Sequence, residues 1–468
     1  MGRILSLTAS GLALAAAVTA VLPLRAAADT VQVTTDTSGT GCTSTSPVVE
    51  DTGTIAAWES NCDPLASNAD KSLEIFRAVI GSPPLQLTSS TACSSRRPSI
   101  DADGDRIAFE SNCNLTGGNP DGNVEIFLWR NGTMVQLTAS TGCDNLAPSI
   151  SGQGNFIAFD STCNAAGVVN DGRGSEIFRV AAANPGVVEQ LTVDPNGGAC
   201  DSTSASINTK GNLVAFDSDC DLTGQNEDFA IEIFTVTAAK VVKQRTVAPD
   251  DSCSSVRPSM DGEGTVIAFQ SDCNFTGHNT DRSEEVFTVD MAFNVDQVSN
   301  AGTGTACASG EPRMASSGKA LVYSGYCPTN GSNGDGSIEV FHSAVGDAAG
   351  GILAVTNSSN CTSVAGGLSA DGTRVVLDSD CNLASQNGDG SVEVFRAGAC
   401  ACGAPSTRKD PPLASDALFT LRAAVGTSDC NLCECDTNDD GQVTASDALR
   451  VLKAAVGQVG VDLDCPVP

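Results

Sequence analysis

The stretch DTNDDGQVTASD, Asp436–Asp447, sets oxygen-bearing side chains at alternating positions. Asp436, Asn438 and Asp440 stand at positions 1, 3 and 5 of a twelve-residue loop, Gly441 makes the turn at 6, the Gln442 carbonyl falls at 7, and Asp447 closes at 12. Hard oxygen ligands in this register are what a calcium ion needs, so the spacing points to one bound Ca2+. The competing reading is an Asx-rich turn ahead of a capped helix, because Thr444 and Asp447 also fit a capping box. The second residue type with chemistry is cysteine. Cys42 and Cys62, Cys93 and Cys113, Cys143 and Cys163, Cys200 and Cys220, Cys253 and Cys273, Cys307 and Cys327, and Cys361 and Cys381 are each twenty residues apart.

Metal ligation and disulfide formation are the two uses such pairs have, and the compartment decides between them. Residues 1–28 combine a basic start, an apolar run and an Ala-Ala-Ala end, the pattern of a cleaved secretory signal. Pro23 and Arg25 break the run, against a membrane anchor, and no other stretch is long and apolar enough to span a bilayer. The expectation is a secreted, extracellular or cell-surface chain, with the periplasm also open, whose cysteines form disulfides. Loss of residues 1–28, which carry Arg3 and Arg25 and no acid, takes the formal charge from −31 to −33. Such a surface repels nucleic acid and anionic membranes.

The elements that position these residues are repeated about every fifty positions. Gly53, Gly104, Gly154, Gly211, Gly264, Gly318 and Gly372 each lie eleven residues after the first cysteine of a pair. Trp58, Phe109, Phe159, Phe216, Phe269, Tyr323 and Leu377 lie four before the second. Every unit then reaches Glu-Ile-Phe or Glu-Val-Phe, at Glu74, Glu125, Glu176, Glu232, Glu285, Glu339 and Glu393, and most pass to a "QLT"-like segment. In the second unit the β-branched and aromatic runs read as four strands: A (PSID), B (RIAFES), C (VEIFLW) and D (VQLT). Short strands at this period indicate a β-propeller of seven blades. The even separation of the cysteines implies an odd, three-residue A/B loop with a left-handed Gly. Each pair would then staple its own blade. Val31–Thr35, VQVTT, precedes the first A strand and would complete the last blade.

Residues 31 to 400 resemble the TolB-like or PD40 repeats, in the A turn, the "IAF" strand and the "EIF" strand. The resemblance implies fold more than function, because propellers host many activities. Asn68, Asn119, Asn170, Asn226, Asn279, Asn333 and Asn387 each sit six residues before the repeated Glu, most with an Asp between. These B/C loops would either bind calcium or cap their own turns, and the absence of a full ligand set in any one loop favours capping. Catalytic constellations are scarce: His278 and His342 are the only histidines, and neither stands in a triad or zinc motif. Carboxylate pairs remain available for glycosidase chemistry, with few Trp or Tyr platforms for a sugar.

After a linker, 401–412, the segments ASDALFTLRAAVG and ASDALRVLKAAVG repeat at an offset of 31. Leu418, Leu421 and Val425, like Leu449, Leu452 and Val456, give each helix one apolar face. Loop plus helix, duplicated over residues 405 to 460, resembles a type I dockerin. That resemblance implies a cohesin-like partner contacted at loop positions 10 and 11, which here are Ala445 and Ser446 and, in the first copy, Ala414 and Ser415. The first copy keeps only Asp416 of its ligand set, so one calcium is expected. Cys400, Cys402, Cys430, Cys433, Cys435 and Cys465 flank this module as disulfides of undetermined pairing, or four of them as a zinc site. The chain is thus expected to be mainly β: a seven-bladed propeller, 29–400, with one disulfide per blade, plus a small α-helical dockerin-like calcium module, 413–468. It would be a binding or scaffold protein for an unknown protein or glycan ligand, the alternative being a polysaccharide-degrading enzyme carried by a dockerin.

Overall fold

The computed structural model describes residues 30–35, 41–163, 174–194, 200–249, 252–300, 307–326, 333, 335–346, 352–399, 402–404, 412–428, 430, 432–438, 442–458, 461, 463 and 465. The expected signal segment, Asp440, Gly441, Cys327, Cys400 and Asn170 lie outside them. The β-rich part is seven four-stranded antiparallel sheets. Consecutive A strands touch around a closed circle, so strand A is innermost in every blade. The first blade runs Ser44–Val49, Ile55–Ser60, Glu74–Val79 and Leu85–Gln86 as A to D. The seventh takes its outermost strand from the N-terminal end: Val31 and Gln32 pair with Arg396 and Phe395. Closing the ring with the first residues of the domain removes an exposed sheet edge.

The alternation of the B and C strands explains the core. Six blades stack a strand B ring on a strand C phenylalanine, as in Trp58 on Phe76 with centroids 6.1 Å apart and Phe216 on Phe234 at 5.7 Å, and in the seventh Leu377 faces Phe395. These rings are fully buried and pack against the neighbouring blade.

Strand A differs from its expected form. In the second blade it begins at Ser95 and carries a bulge: Ser95 faces Ser111 and Arg96 faces Glu110, but Ser99 faces Ala108 and Ile100 faces Ile107. The extra residue accounts for the even cysteine separation. The A/B loop is therefore four residues, Ala102–Asp105, closed by Asp101 N–H donating to the Arg106 carbonyl at 3.1 Å, and not three. The left-handed glycine is as expected, with Gly104 at φ +72°.

Six pairs, Cys42–Cys62, Cys93–Cys113, Cys143–Cys163, Cys200–Cys220, Cys253–Cys273 and Cys361–Cys381, are bonded within their own blades. Cys307 is buried, and its expected partner Cys327 is outside the described residues. Several disulfides on one chain indicate an oxidising, non-cytoplasmic compartment. No helix among the described residues is long and apolar enough to cross a membrane.

The C-terminal part has helices α1 (Ala414–Ala424), α2 (Leu432–Cys435) and α3 (Ala445–Ala455). α1 packs on α3, and each buries an Asp, an Ala and a third residue: Asp416, Ala417 and Thr420, and Asp447, Ala448 and Val451. The apolar faces expected at Leu418, Leu421, Val425, Leu449, Leu452 and Val456 are real, but they point to solvent, at 41 to 71% exposure. Small residues let the two helices approach, and the larger ones are left outside. Cys402 is bonded to Cys465 and Cys430 to Cys435. Three of the four sulfurs of the alternative zinc site are thereby spent, which removes that reading. Gly403 N–H donates to the Glu434 carbonyl at 2.8 Å and Ala404 is buried, so this part of the expected linker is held in the module.

Candidate functional site: the collar and the C-terminal loop

The loop residues repeated from blade to blade are structural latches. Asn68 Nδ2 donates to the Cys62 and Ser72 carbonyls at 3.1 and 2.9 Å, and Asn226, Asn279 and Asn387 repeat the pattern. The repeated Glu is equally occupied: Glu74 Oε1 accepts from Ser90 N–H at 2.7 Å, and Glu125 from Ser140 N–H and Oγ–H. A Thr or Ser after strand D completes the latch, accepting a strand C N–H, as in Ile75 N–H to Thr88 Oγ1 at 2.9 Å and Val394 N–H to Thr34 Oγ1 at 2.8 Å. Among the described residues the only groupings of three His, Cys, Asp or Glu ligand atoms are Cys–Asp–Cys sets whose sulfurs are in disulfides.

The axis carries two contrasting ends. At the A/B turns, backbone bonds link blade to blade: Asp51 N–H to Ala102 O, Ala102 to Gly152, Gln153 to Thr209, Thr209 to Gly262, and Gly262 to Ser316, at 2.9 to 3.3 Å. Ala370 N–H returns to Asp51 O at 2.9 Å, and Ser316 Oγ donates to Asp51 Oδ1 at 2.7 Å. A Cβ on Gly262 would meet Ser316 O at 2.8 Å, so the turns converge only because that residue has no side chain.

Away from the A/B turns, the residue after the strand B ring, or after Leu377 in the seventh blade, reaches the bulge of the next blade in six of the seven blades. Glu59 accepts from Arg97 N–H at 2.7 Å, Glu110 from Ala147 at 2.7 Å, Asp217 from Arg257 at 2.8 Å, Gln270 from Glu311 at 3.2 Å, Ser324 from Ala365 at 2.9 Å and Asp378 from Ser46 at 2.9 Å. Most of these donors sit at positive φ, 49° to 55° for Ala147, Arg97, Ser46, Arg257 and Glu311. The bulge turns each N–H toward the neighbouring blade at a backbone penalty of about 1–2 kcal/mol. The result is a collar of carboxylates, with Arg97 3.6 Å from Glu110 and Arg257 2.9 Å from Glu311 as counter-charges.

Asp160 is the exception in the collar. It is 6% exposed and its Oδ1 has no hydrogen-bond partner among the described residues. Burial first, and then the charge of Glu110, push its carboxyl up from 3.8 to about 7. Burial likewise takes Asp378 up to about 6 and raises Glu110 and Asp217. A folded-state value above the unfolded one favours folding at low pH, an advantage complete below about pH 4 and lost as pH rises through 7. Asp160→Asn should therefore match the parent at pH 4 and be more stable at pH 8 by roughly 2–4 kcal/mol. Urea midpoints at the two pH values test this, and an equal difference at both would refute it.

In the C-terminal loop Asp436 and Asp447 are fully buried. Asp447 Oδ1 accepts from Thr437 N–H at 3.0 Å, and Oδ2 from Thr444 N–H at 2.9 Å and Thr444 Oγ1 at 2.7 Å. Thr437 Oγ1 also donates to Oδ1 at 3.2 Å, so the carboxylate serves as the helix cap with both oxygens engaged, and a cation there would take the place of one of the hydroxyl donors. Asp436, Asn438, Gln442 and Asp447 form an all-oxygen donor set of the kind calcium takes. Two dehydrated carboxylates within one short loop fit a nearby cation. In the first copy Asp416 plays the capping part alone, accepting from Leu413 N–H at 2.7 Å. Ala414, Ser415, Ala445 and Ser446 are all exposed.

Sequence reasoning missed the bulge, the collar and the Thr part of the latch. The signal was present: an acid or amide follows the strand B ring in most repeats.

The fold and these sites define a disulfide-stapled seven-bladed β-propeller followed by a small helical module. No protein-family model and no curated protein matches the chain. Solved structures are similar in fold. An oligogalacturonate lyase from Vibrio parahaemolyticus gives a TM-score of 0.52 at 8% identity, over 79% of this chain and 91% of that one. An oligogalacturonate lyase in complex with manganese gives 0.51 at 9%, over 79% and 97%. TolB from Acinetobacter baumannii gives 0.38 at 17%, over 71% and 61%. Identities this low speak to architecture alone.

Proposed function

We propose that the chain is an exported binding or scaffold protein, whose propeller offers the acidic collar to a ligand and whose C-terminal module tethers it to a cohesin-like partner in the presence of calcium. The observation that carries this reading is the duplicated solvent-facing apolar stripe: Leu418, Leu421 and Val425 on α1 and Leu449, Leu452 and Val456 on α3. A module this small does not expose six large apolar side chains in two matching sets without a partner surface. The exposed Ala414, Ser415, Ala445 and Ser446 head the same two helices. Calcium would be held by Asp436, Asn438, Asp440, the Gln442 carbonyl and Asp447, and would set where α3 begins.

Calorimetric titration should give one calcium per chain for the parent and at least a hundredfold weaker binding for Asp436→Ala, because one lost carboxylate leaves too few oxygens. Capture of a cohesin-type protein should then fail both in that variant and in chelator. Unchanged calcium binding in Asp436→Ala would sink the ligand assignment.

The second reading, a polysaccharide-degrading enzyme, draws on the shared propeller architecture of the oligogalacturonate lyases. The electrostatics oppose an anionic polysaccharide in particular, since the collar is mostly acidic and the chain carries −31. Incubation with neutral, basic and acidic polysaccharides separates the readings: product release supports an enzyme, binding without turnover the scaffold.

A further inference from the structure

The seven blade junctions are not equivalent. At the residue two after the second cysteine, Leu115, Leu222, Phe275 and Leu383 fold inward and pack against the core where their blade meets the one before. In the fifth blade Phe275 stands edge-on to the ring pair, 6.0 Å from Phe269 and 5.6 Å from Phe287. The first blade has Pro64 at this position, exposed, and the neighbouring Leu65 also faces solvent at 43%. Among the described residues nothing equivalent fills the junction of blades seven and one. A cavity of about 400 Å³ lies there instead, with Trp58 and Phe76 as its floor and Val33, Pro64, Pro83 and Pro84 among its walls.

A second substitution gives the cavity a polar handle. In blades two, four and five the next residue is a Thr that donates to the strand D Gln: Thr116 to Gln136 Oε1 at 2.9 Å, Thr223 to Gln244 at 3.3 Å and Thr276 to Gln297 at 2.8 Å. In the seventh blade that residue is Ala384 and the strand D Gln is Gln32, contributed by the closing strand. Gln32 Oε1 is buried, lines the cavity and has no partner among the described residues. A buried acceptor without a donor is unfavourable by about 1–3 kcal/mol, which an incoming donor would recover.

We propose that this cavity is a binding site for a small neutral aromatic molecule carrying one hydrogen-bond donor, a phenol-type ring. Its ring takes the seat over Trp58 and Phe76 that Phe275 fills in blade five, and its O–H donates to Gln32 Oε1. The lining also carries hydroxyls and the Glu393 carboxyl, and the cavity size, the Trp58 and Phe76 rings and the one unpartnered acceptor among the described lining atoms suit such a ligand. The site is separate from the collar and from the C-terminal module, so it stands whether or not the docking reading holds.

Calorimetric titration of the full mature chain with phenol tests it, with toluene as the ring lacking a donor. Saturable phenol binding is expected, with toluene and the Gln32→Leu variant each about tenfold weaker, the equivalent of one unmade hydrogen bond. Pro64→Phe supplies the missing ring from the chain itself, and should abolish phenol binding while raising the melting temperature. That rise shows the variant folded, so its lost binding is not trivial. Absence of phenol binding to the parent, or equal binding to Pro64→Phe, would overturn the proposal.

Discussion

Full reduction of the disulfides should cost the propeller its fold near physiological temperature. Each described blade bridge closes a loop of about twenty residues, for which the chain-entropy model gives roughly 3 kcal/mol. Six such bridges would contribute up to about 18 kcal/mol, against a typical net stability of about 5–15 kcal/mol. The sum is an upper bound, because each loop is local and the reduced chain retains structure. Even half of it is comparable with the whole stability. The blades have little to compensate with: at most one stacked strand B and C ring pair, and Ala, Val and Ile around it. Thermal melts with and without reductant, with alkylation and mass analysis proving that the thiols are open, read the effect. A melting temperature that falls by less than about 5 °C on verified reduction would show the cores self-sufficient.

The closing strand should be the second point of failure. Thr34 hydroxyl donates to Glu393 and accepts Val394 N–H, the latch that Thr246 forms with Glu232 and Ile233 inside a continuous blade. Thr34→Val keeps the shape and removes the hydroxyl, leaving a buried N–H and a carboxylate short of partners. The loss should be about 2–4 kcal/mol, or roughly 3–5 °C for a domain of this size. Thr246→Val should lose a similar amount. The two variants part in their next step. Residues 31–35 are joined to the seventh blade by hydrogen bonds and packing alone, so their release bares the Glu393–Gly398 edge to other chains. Concentration-dependent aggregation on warming is therefore expected of Thr34→Val and not of Thr246→Val. Equal behaviour in light scattering would argue that closure is not held at this latch.

Much of the architecture was legible because it is repeated. A single Cys, Gly, ring or Glu is ambiguous, but seven copies at one spacing specify a blade, and an unpaired strand at the front requires a gap at the back. The A/B bulge escaped the parity argument because a bulge changes register without changing composition: Arg97 and Ala147 carry no mark of their positive φ. The apolar stripes of α1 and α3 were visible as stripes, while their direction was not. Periodicity reports that Leu418, Leu421 and Val425 share a face, and says nothing about what covers it.

By itself, then, the sequence determined the local chemistry: seven blade repeats, their internal cysteine pairs, the left-handed turn glycines, and an oxygen-rich loop ahead of a capped helix. These depend on residues near one another in the chain, whose spacing carries the information. The tertiary structure alone decided what depends on neighbours from different repeats. Glu59 meets Arg97 N–H only because blade two lies beside blade one, and Asp160 is left without that partner only in the assembled collar. Gln32 and Pro64 face the same cavity only because the ring closes where the chain's early residues meet its last blade. Burial, and with it every shifted carboxyl and every empty seat in the core, is a property of that closure.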